Sequence, residues 1–285
     1  MSPQTACHDC QQGMTVNNIL QTVHYKPITL LLLGIATVTS LLGSSPLWQS
    51  HQALFQWILP SAALLIVLRL GWHVRQTSLA ASPSTLHKDI KLCWIALLLC
   101  TCGDIINFNL FGLYHRQDQT IKHDYLIDSI WFFALGYGLL LGLLIRFLRR
   151  EFALTLATAT VLVVVSITLS SLSYKMMYLP AISQYSLLLS ASYSLLVALL
   201  GIFGFWLIIQ NLKLNEKTNY AVASGFILAM LADAVIGQFW LFANQGDGYF
   251  PIARHVNWVI YIGSQTLLLL FPVAMIKTNV VTSKT

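Results

Sequence analysis

Charged side chains are scarce in this chain of 285 residues, of which only 9% are Asp, Glu, Lys or Arg and 56% are hydrophobic. A soluble globular domain usually carries about 25% charged residues. This shortage excludes an ordinary soluble domain and predicts an all-α, polytopic membrane helix bundle, because helices satisfy their own backbone hydrogen bonds within lipid. The net charge of +6 therefore bears on orientation in the bilayer and does not indicate a nucleic-acid partner.

Short motifs of common enzyme classes are also missing. The chain contains no G-x-S-x-G, no H-E-x-x-H and no Walker loop, so nothing in it supports a serine nucleophile, a catalytic zinc or a nucleotide site. Cys7 and Cys10 form a single C-x-x-C pair, whereas a structural zinc site normally needs four ligands. We predict no metal and no organic cofactor. We also predict no cleavable signal peptide, because residues 1–27 lack an apolar core followed by a cleavage site.

Long apolar runs recur along the chain, each near the ~20 residues that a membrane-spanning helix needs. Short segments join them, so we predict one transmembrane domain over residues 28–277, with a disordered N-terminal tail (1–27) and a C-terminal tail (278–285). The predicted spans are eight, at roughly 28–45, 53–73, 91–113, 126–147, 152–173, 186–210, 220–243 and 256–276.

The basic residues predict how these spans are oriented. Most of the 16 Lys and Arg fall on the side of the membrane that receives both termini. Cytoplasmic loops carry an excess of Lys and Arg, so both termini are predicted to be cytoplasmic.

Two aspartates interrupt apolar runs. Asp104 lies within LLLCTCGDIINFNLFG (97–112), and Asp233 lies within FILAMLADAVIGQFWLF (226–242). An ionised carboxylate in the bilayer costs several kcal/mol, so it usually serves a function. The alternative is a carboxyl group that ties neighbouring helices together by hydrogen bonds. No Lys or Arg lies at a matching depth in any predicted span, which disfavours a simple ion pair and favours a functional role.

Several other polar residues fall at a similar depth. At 1.5 Å per residue, Asp104 lies about 20 Å beyond Lys91 along its helix and Asp233 about 24 Å beyond Lys217, which places both in the middle to outer half of the bilayer. Tyr261, Gln265 and Tyr137 lie about 10, 16 and 14 Å in from the outer side. Asn107 follows Asp104 by three residues and shares its helix face. Tyr261 and Gln265 are four residues apart and also share a face. A Tyr near an interface is often an anchor and a buried Gln often joins helices, so these two are weaker candidates by themselves.

Three short motifs follow one another in the second part of the chain: GD at Gly103–Asp104, AD at Ala232–Asp233, and YIGSQTLL at 261–268. In order, in spacing and in the number of predicted spans, this series resembles the YhhN family, the lysoplasmalogenase membrane proteins. The chain departs from the family pattern at Tyr137, which aligns with a His in the fourth span, and at Ala232, which aligns with a Ser.

The resemblance implies an enzyme of the bacterial inner membrane that hydrolyses the vinyl ether of a lysophospholipid. Such a reaction needs one protonated acid and one group that stabilises positive charge and orients water. Two close carboxyl groups in a medium of low dielectric constant can divide these roles. The resemblance thus implies Asp104 and Asp233 as catalytic residues, with water or headgroup positioned by Asn107, Tyr261, Gln265 and Tyr137.

Two other functions remain open at the level of sequence. Paired carboxylates within a membrane also couple proton or cation movement in transporters. The Tyr137 departure is compatible with an inactive, lipid-binding relative. The sequence indicates neither the headgroup preference nor the oligomeric state.

Overall fold

The computed structural model of the chain describes residues 85–107, 121–177, 184–241 and 251–282, together with Gly34 and Val38. The tail with Cys7 and Cys10, the predicted span 53–73 and nearly all of the span 28–45 lie outside the described residues.

The described residues form helices and no strand. In chain order these are α1 (Thr85–Asn107), α2 (Ile121–Glu151), α3 (Leu156–Met177), α4 (Gln184–Asn211), α5 (Lys217–Val235), a π-helical segment (Ile236–Leu241), α6 (Pro251–Leu268) and α7 (Phe271–Thr282).

Within these ranges, four stretches are long and apolar enough to cross a bilayer: Asp128–Glu151, Leu156–Lys175, Gln184–Asn211 and Lys217–Gln238. The all-helical architecture is thus confirmed for the described residues, and it is consistent with an integral membrane protein. The total of eight spans and the cytoplasmic position of both termini stay predictions.

The surface of α3 shows how this bundle meets its surroundings. Large apolar side chains point outward along most of the helix, including Val161, Val164 and Leu172. Exposing such a face to water is unfavourable, whereas hydrocarbon tails accept it at no cost. The α3 face is therefore the part of the described surface best suited to lipid contact.

Close helix packing depends on small residues at two crossings. A Cβ added at Gly136 of α2 would lie 2.7 Å from the carbonyl oxygen of Ala96 in α1, and one added at Gly204 of α4 would lie 2.7 Å from Cβ of Phe226 in α5. Glycine at these positions lets the helix backbones approach each other closely, as is common between membrane helices. Around them, α4 packs against α2, α3 and α5, while α5 packs against α6.

Polar contacts close one end of the bundle. Asp89 at the start of α1 accepts ion pairs from Arg146 at 3.1 Å and from Arg150 at 3.5 Å near the end of α2. At the same end, Asn219 of α5 donates to Asn211 of α4 at 3.0 Å and also bonds to Thr278 of α7 at 3.4 Å. These groups have partners close by, so this end is held together structurally.

The last predicted span is interrupted. The sequence predicts a continuous helix over 256–276, but α6 ends at Leu268 and α7 begins at Phe271 after a two-residue turn. Pro272 explains the break, because proline has no N–H to donate to the carbonyl four residues earlier and is well tolerated in the first turn of a new helix. The second helix continues to Thr282, past residue 277, where the transmembrane domain was predicted to end.

Candidate active site

Asp104 lies in the last turn of α1 and is almost completely buried, with 2% of its surface exposed. The hydroxyl of Tyr261 in α6 donates a hydrogen bond to its Oδ2 at 2.8 Å. The other carboxyl oxygen, Oδ1, has no hydrogen-bond partner among the described residues. One edge of the carboxyl group is therefore held by a tyrosine, while the other can meet a bound group.

Asp233 near the end of α5 has a comparable arrangement. The hydroxyl of Tyr193 in α4 donates a hydrogen bond to its Oδ2 at 3.1 Å. The α-helical pattern ends shortly after Asp233, where the N–H of Ile236 bonds to the carbonyls of both Ala232 and Asp233. The π-helical segment begins there, and such segments are frequent at functional sites.

Both carboxyl groups line one cavity of about 300 Å³. Its walls come from the last parts of α1, α3 and α5 and from the first parts of α2, α4 and α6, so it lies at the end of the bundle opposite the Asp89 ion pairs. The cavity therefore brings together the two aspartates that the sequence placed at similar depths.

Of the residues expected to position substrate or water, two line this cavity and two do not. Asn107 and Tyr261 are part of its wall. Tyr137 is fully buried behind the wall, where its ring stacks on that of Tyr193 with 6.3 Å between centroids. Gln265 is also absent from the wall. For Tyr137 and Gln265 the structure thus supports a role in packing behind the site rather than direct contact with a ligand.

Phe133 connects Tyr261, which bonds to Asp104, with the stacked pair of Tyr137 and Tyr193. Its ring packs edge-on against Tyr261 with 6.1 Å between centroids, and tilted against Tyr137 at the same separation. Tyr137 in turn supports Tyr193. Both tyrosines that hold the carboxyl groups are consequently fixed by aromatic neighbours, which keeps their hydroxyl groups aimed at the aspartates.

Several wall residues were missed at the level of sequence. Tyr193 was not singled out, although it follows a serine-rich stretch of α4. Asn257 lies four residues before Tyr261 and hence on the same helix face, which is a signal that could have identified it. A further group of hydroxyl and amide side chains lines the cavity: Ser129, Ser170, Ser173, Ser190, Ser194 and Gln238. Within this group, Ser170 bonds to Ser194 and Gln238 bonds to Ser173.

The remaining wall is mostly apolar, and two of its members, Leu169 of α3 and Leu231 of α5, are also exposed on the outside of the described bundle. The described wall residues include no Lys, Arg or His. Among the described residues, no group of three or more His, Cys, Asp or Glu is placed to hold a metal ion. The chemistry that these wall residues offer is carboxyl, phenol, amide and hydroxyl chemistry within an apolar surround.

Comparison of the chain with protein families, with curated proteins and with solved structures gives no match.

Proposed function

We propose that the protein is a membrane-embedded hydrolase that cleaves the vinyl ether bond of lysoplasmalogens to a fatty aldehyde and a glycerophospho-headgroup, as the resemblance to the YhhN family implies. The observation that carries the proposal is the pair of buried carboxyl groups, Asp104 and Asp233, on one cavity, each held by a tyrosine hydroxyl. The proposal places the cavity towards the outer side of the bacterial inner membrane, with both termini in the cytoplasm.

The proposed reaction begins with a proton transfer to carbon. One aspartic acid delivers its proton to the β-carbon of the vinyl ether, which leaves an oxocarbenium ion. The second carboxyl group, ionised, stabilises this positive charge and orients a water molecule that attacks the α-carbon. The water passes a proton to the carboxylate formed in the first step, which restores the acid. The resulting hemiacetal breaks its C–O bond to glycerol while its hydroxyl proton moves to the glycerol oxygen, which gives the aldehyde and the free glycerol hydroxyl.

The surroundings of the carboxyl groups suit these two roles. No basic side chain among the described wall residues is available to neutralise either aspartate. Two carboxyl groups that share an apolar site favour holding one proton between them, as in enzymes that use carboxylate pairs. The tyrosine hydroxyls of Tyr193 and Tyr261 each occupy one carboxyl oxygen and so fix the orientation of the pair.

The apolar wall suits the hydrocarbon part of the substrate. A cavity of about 300 Å³ lies at the small end of ligand-binding sites. We infer that it holds the vinyl ether and the glycerol of the substrate, while the hydrocarbon chain of the substrate extends beyond it. Leu169 and Leu231 belong both to the cavity wall and to the exposed surface. The hydrocarbon chain of the substrate therefore has an apolar path past these two residues towards lipid.

The deciding experiment is product analysis with purified protein in detergent. A 1-alkenyl lysolipid is compared with an ester lysolipid that has the same headgroup. Aldehyde from the vinyl ether and no fatty acid from the ester supports the proposal. Fatty acid from the ester contradicts it, because ester cleavage calls for a nucleophile that the proposed site does not provide.

A second candidate function is proton- or cation-coupled transport, favoured by the unpartnered Oδ1 of Asp104 inside the cavity. A transporter moves its substrate across sealed vesicles under a gradient and releases no aldehyde. An inactive, lipid-binding relative, the third candidate, binds lysolipid saturably with neither flux nor product. Vesicle flux and aldehyde release measured on one preparation separate all three.

A further inference from the structure

Three oxygen atoms in the cavity lack a hydrogen-bond partner among the described residues: Oδ1 of Asp104, Oδ1 of Asn107 and Oδ1 of Asn257. All three side chains belong to the cavity wall and are deeply buried, with 2%, 8% and 1% of their residue surface exposed. A buried acceptor without a donor loses its hydrogen bonds to water and gains nothing in return, which makes it uncommon in folded proteins. Three such acceptors around one cavity need an explanation.

The local structure brings these acceptors to the same part of the wall. Asn107 follows Asp104 by three residues on α1, so the two share a helix face. Asn257 precedes Tyr261 by four residues on α6, and the hydrogen bond from Tyr261 to Asp104 joins the two helices at this level. The acceptors therefore come from two helices that are tied together at the same place.

We propose that Asp104, Asn107 and Asn257 form an acceptor subsite that binds a hydroxyl or primary ammonium group of the ligand. A primary ammonium group carries three N–H donors and can satisfy all three acceptors, whereas each hydroxyl carries one O–H donor and satisfies one of them, so that a diol satisfies two. Phosphate and carboxylate groups do not fit, because they bring further acceptors and negative charge towards Asp104. A quaternary ammonium group has no N–H and satisfies none of the three oxygens.

The described wall offers no positively charged donor of its own. Its residues include no Lys, Arg or His, and the nearby Tyr261 hydroxyl is already directed to Oδ2 of Asp104. The proposal assigns the missing donors to the ligand, or to water that occupies the subsite until the ligand displaces it. A site with buried acceptors discriminates strongly against an analogue that lacks the donor, because the acceptors are then left unpaired.

The use of this subsite for a lysolipid rests on the proposed function. There it binds the donor-bearing polar part of the substrate, a glycerol hydroxyl or a primary amine of the headgroup, while the chain lies along the apolar wall. Asn107 and Asn257 then act as positioning residues that set which substrates place their vinyl ether beside the two carboxyl groups.

Binding of unreactive probes to the purified protein tests the subsite. 1-O-Octylglycerol is compared with its 2,3-di-O-methyl derivative, and octylamine with octyltrimethylammonium, so that each pair differs in its donors. Dissociation constants are measured by calorimetry in detergent. We expect the donor-bearing member of at least one pair to bind about tenfold more tightly than its capped partner. Preference within the glycerol pair identifies a hydroxyl subsite, and preference within the amine pair identifies an ammonium subsite.

Variants assign the preference to the residues. Asn257→Leu and Asn107→Leu each remove one acceptor at similar volume and are expected to reduce the preference several-fold. Asn219→Leu is the matched control, because it removes a buried Asn at the opposite end of the bundle, and it keeps the preference in its folded fraction. Equal binding of capped and uncapped probes by the unsubstituted protein overturns the proposal, and so does a preference that survives in both cavity variants.

The result is separate from the test of hydrolysis, because these probes contain no vinyl ether. A donor preference without aldehyde release supports the subsite and contradicts the proposed enzyme. Aldehyde release without a donor preference supports the enzyme and contradicts the subsite.

Discussion

At the scale of single residues, the two aspartates carry the proposed chemistry. Asp104→Asn and Asp233→Asn keep the size of the side chain and an oxygen that accepts from the neighbouring tyrosine, so both variants are expected to fold. Each lacks a group that can hold and transfer the proton at neutral pH. We expect aldehyde release to fall by about 10²-fold or more in each, since a positioned acid or base contributes roughly 10²–10⁴-fold.

Asp89→Asn is the control for these two variants. Asp89 is also a buried carboxyl group, but it pairs with Arg146 and Arg150 at the opposite end of the bundle. Removing its charge takes the ion pair from Arg146 and one of two carboxylate partners from Arg150, which also pairs with Glu151, and is expected to lower the melting temperature. Aldehyde release per folded molecule stays unchanged. Full activity of Asp104→Asn, measured beside this control, contradicts the proposed mechanism.

The tyrosines differ from one another in a testable way. Tyr193 donates to Asp233 at 3.1 Å, whereas the hydroxyl of Tyr137 is buried without a hydrogen-bond partner among the described residues. Tyr193→Phe removes a bond that orients a carboxyl group and is expected to lower the rate of aldehyde release about tenfold. Tyr137→Phe removes a hydroxyl that lies beside the Gln265 side chain and bonds to neither carboxyl group, so its rate of aldehyde release is expected to stay nearly unchanged.

A pairwise comparison of rates checks this expectation. A loss of activity for Tyr137→Phe as large as for Tyr193→Phe contradicts the packing role that the structure gives to Tyr137. Such a loss favours the interpretation that Tyr137 takes the functional role of the His with which it aligns in the YhhN pattern.

At the scale of elements, the α1–α2 crossing depends on the absence of a side chain at Gly136. Gly136→Ala places a methyl group 2.7 Å from a backbone oxygen of Ala96 and 2.7 Å from Sγ of Cys100. Because a backbone oxygen cannot move aside cheaply, we expect a loss of about 1–3 kcal/mol in stability. The same crossing carries Asp104, so the variant is also expected to lose activity.

Gly138→Ala in the same helix is the matched control, since nothing lies within 4 Å of a Cβ at that position. There alanine relieves the low helix propensity of glycine, and stability is expected to rise or to stay unchanged. Thermal unfolding of both variants in detergent compares them directly. Equal melting temperatures contradict the close packing of α1 and α2 at Gly136.

The π-helical segment Ile236–Leu241 also acts at this scale. A π turn accommodates an extra residue and rotates the side chains that follow relative to a continuous α-helix. In this chain it begins three residues after Asp233, and Gln238 within it reaches Ser173 of α3 at 3.4 Å. The segment thus adds a polar contact across the cavity that a regular helix would direct elsewhere.

At the scale of the whole molecule, the prediction is an eight-span protein with both termini in the cytoplasm. In a variant whose five native cysteines are replaced by serine, tags with a single cysteine, added at either end, are expected to resist a membrane-impermeant thiol reagent in intact cells and to react after lysis. A cysteine introduced at position 116, between α1 and α2, is expected to react in intact cells, because the predicted topology places that loop outside. Labelling of either terminus before lysis contradicts an even number of spans with this orientation.

The amino-acid sequence by itself determined the helical architecture and the similar level of several polar residues along their helices. Apolar runs of about 20 residues leave few alternatives to membrane helices, and a constant rise per residue converts sequence position into depth. Asp104, Asp233, Asn107 and Tyr261 were therefore placed near one level, and the structure brings all four to one cavity.

Only the tertiary structure decided which of these residues meet. Tyr261 reaches Asp104 across 157 residues of chain, and Tyr193 rather than Tyr137 reaches Asp233. Tyr137 lies at a suitable level but is not part of the cavity wall, and its ring stacks on that of Tyr193. Depth follows from distance along a helix, but neighbours follow from how each helix is rotated and which helix packs beside it. Those two properties depend on contacts among all the helices together, and no local stretch of sequence contains them.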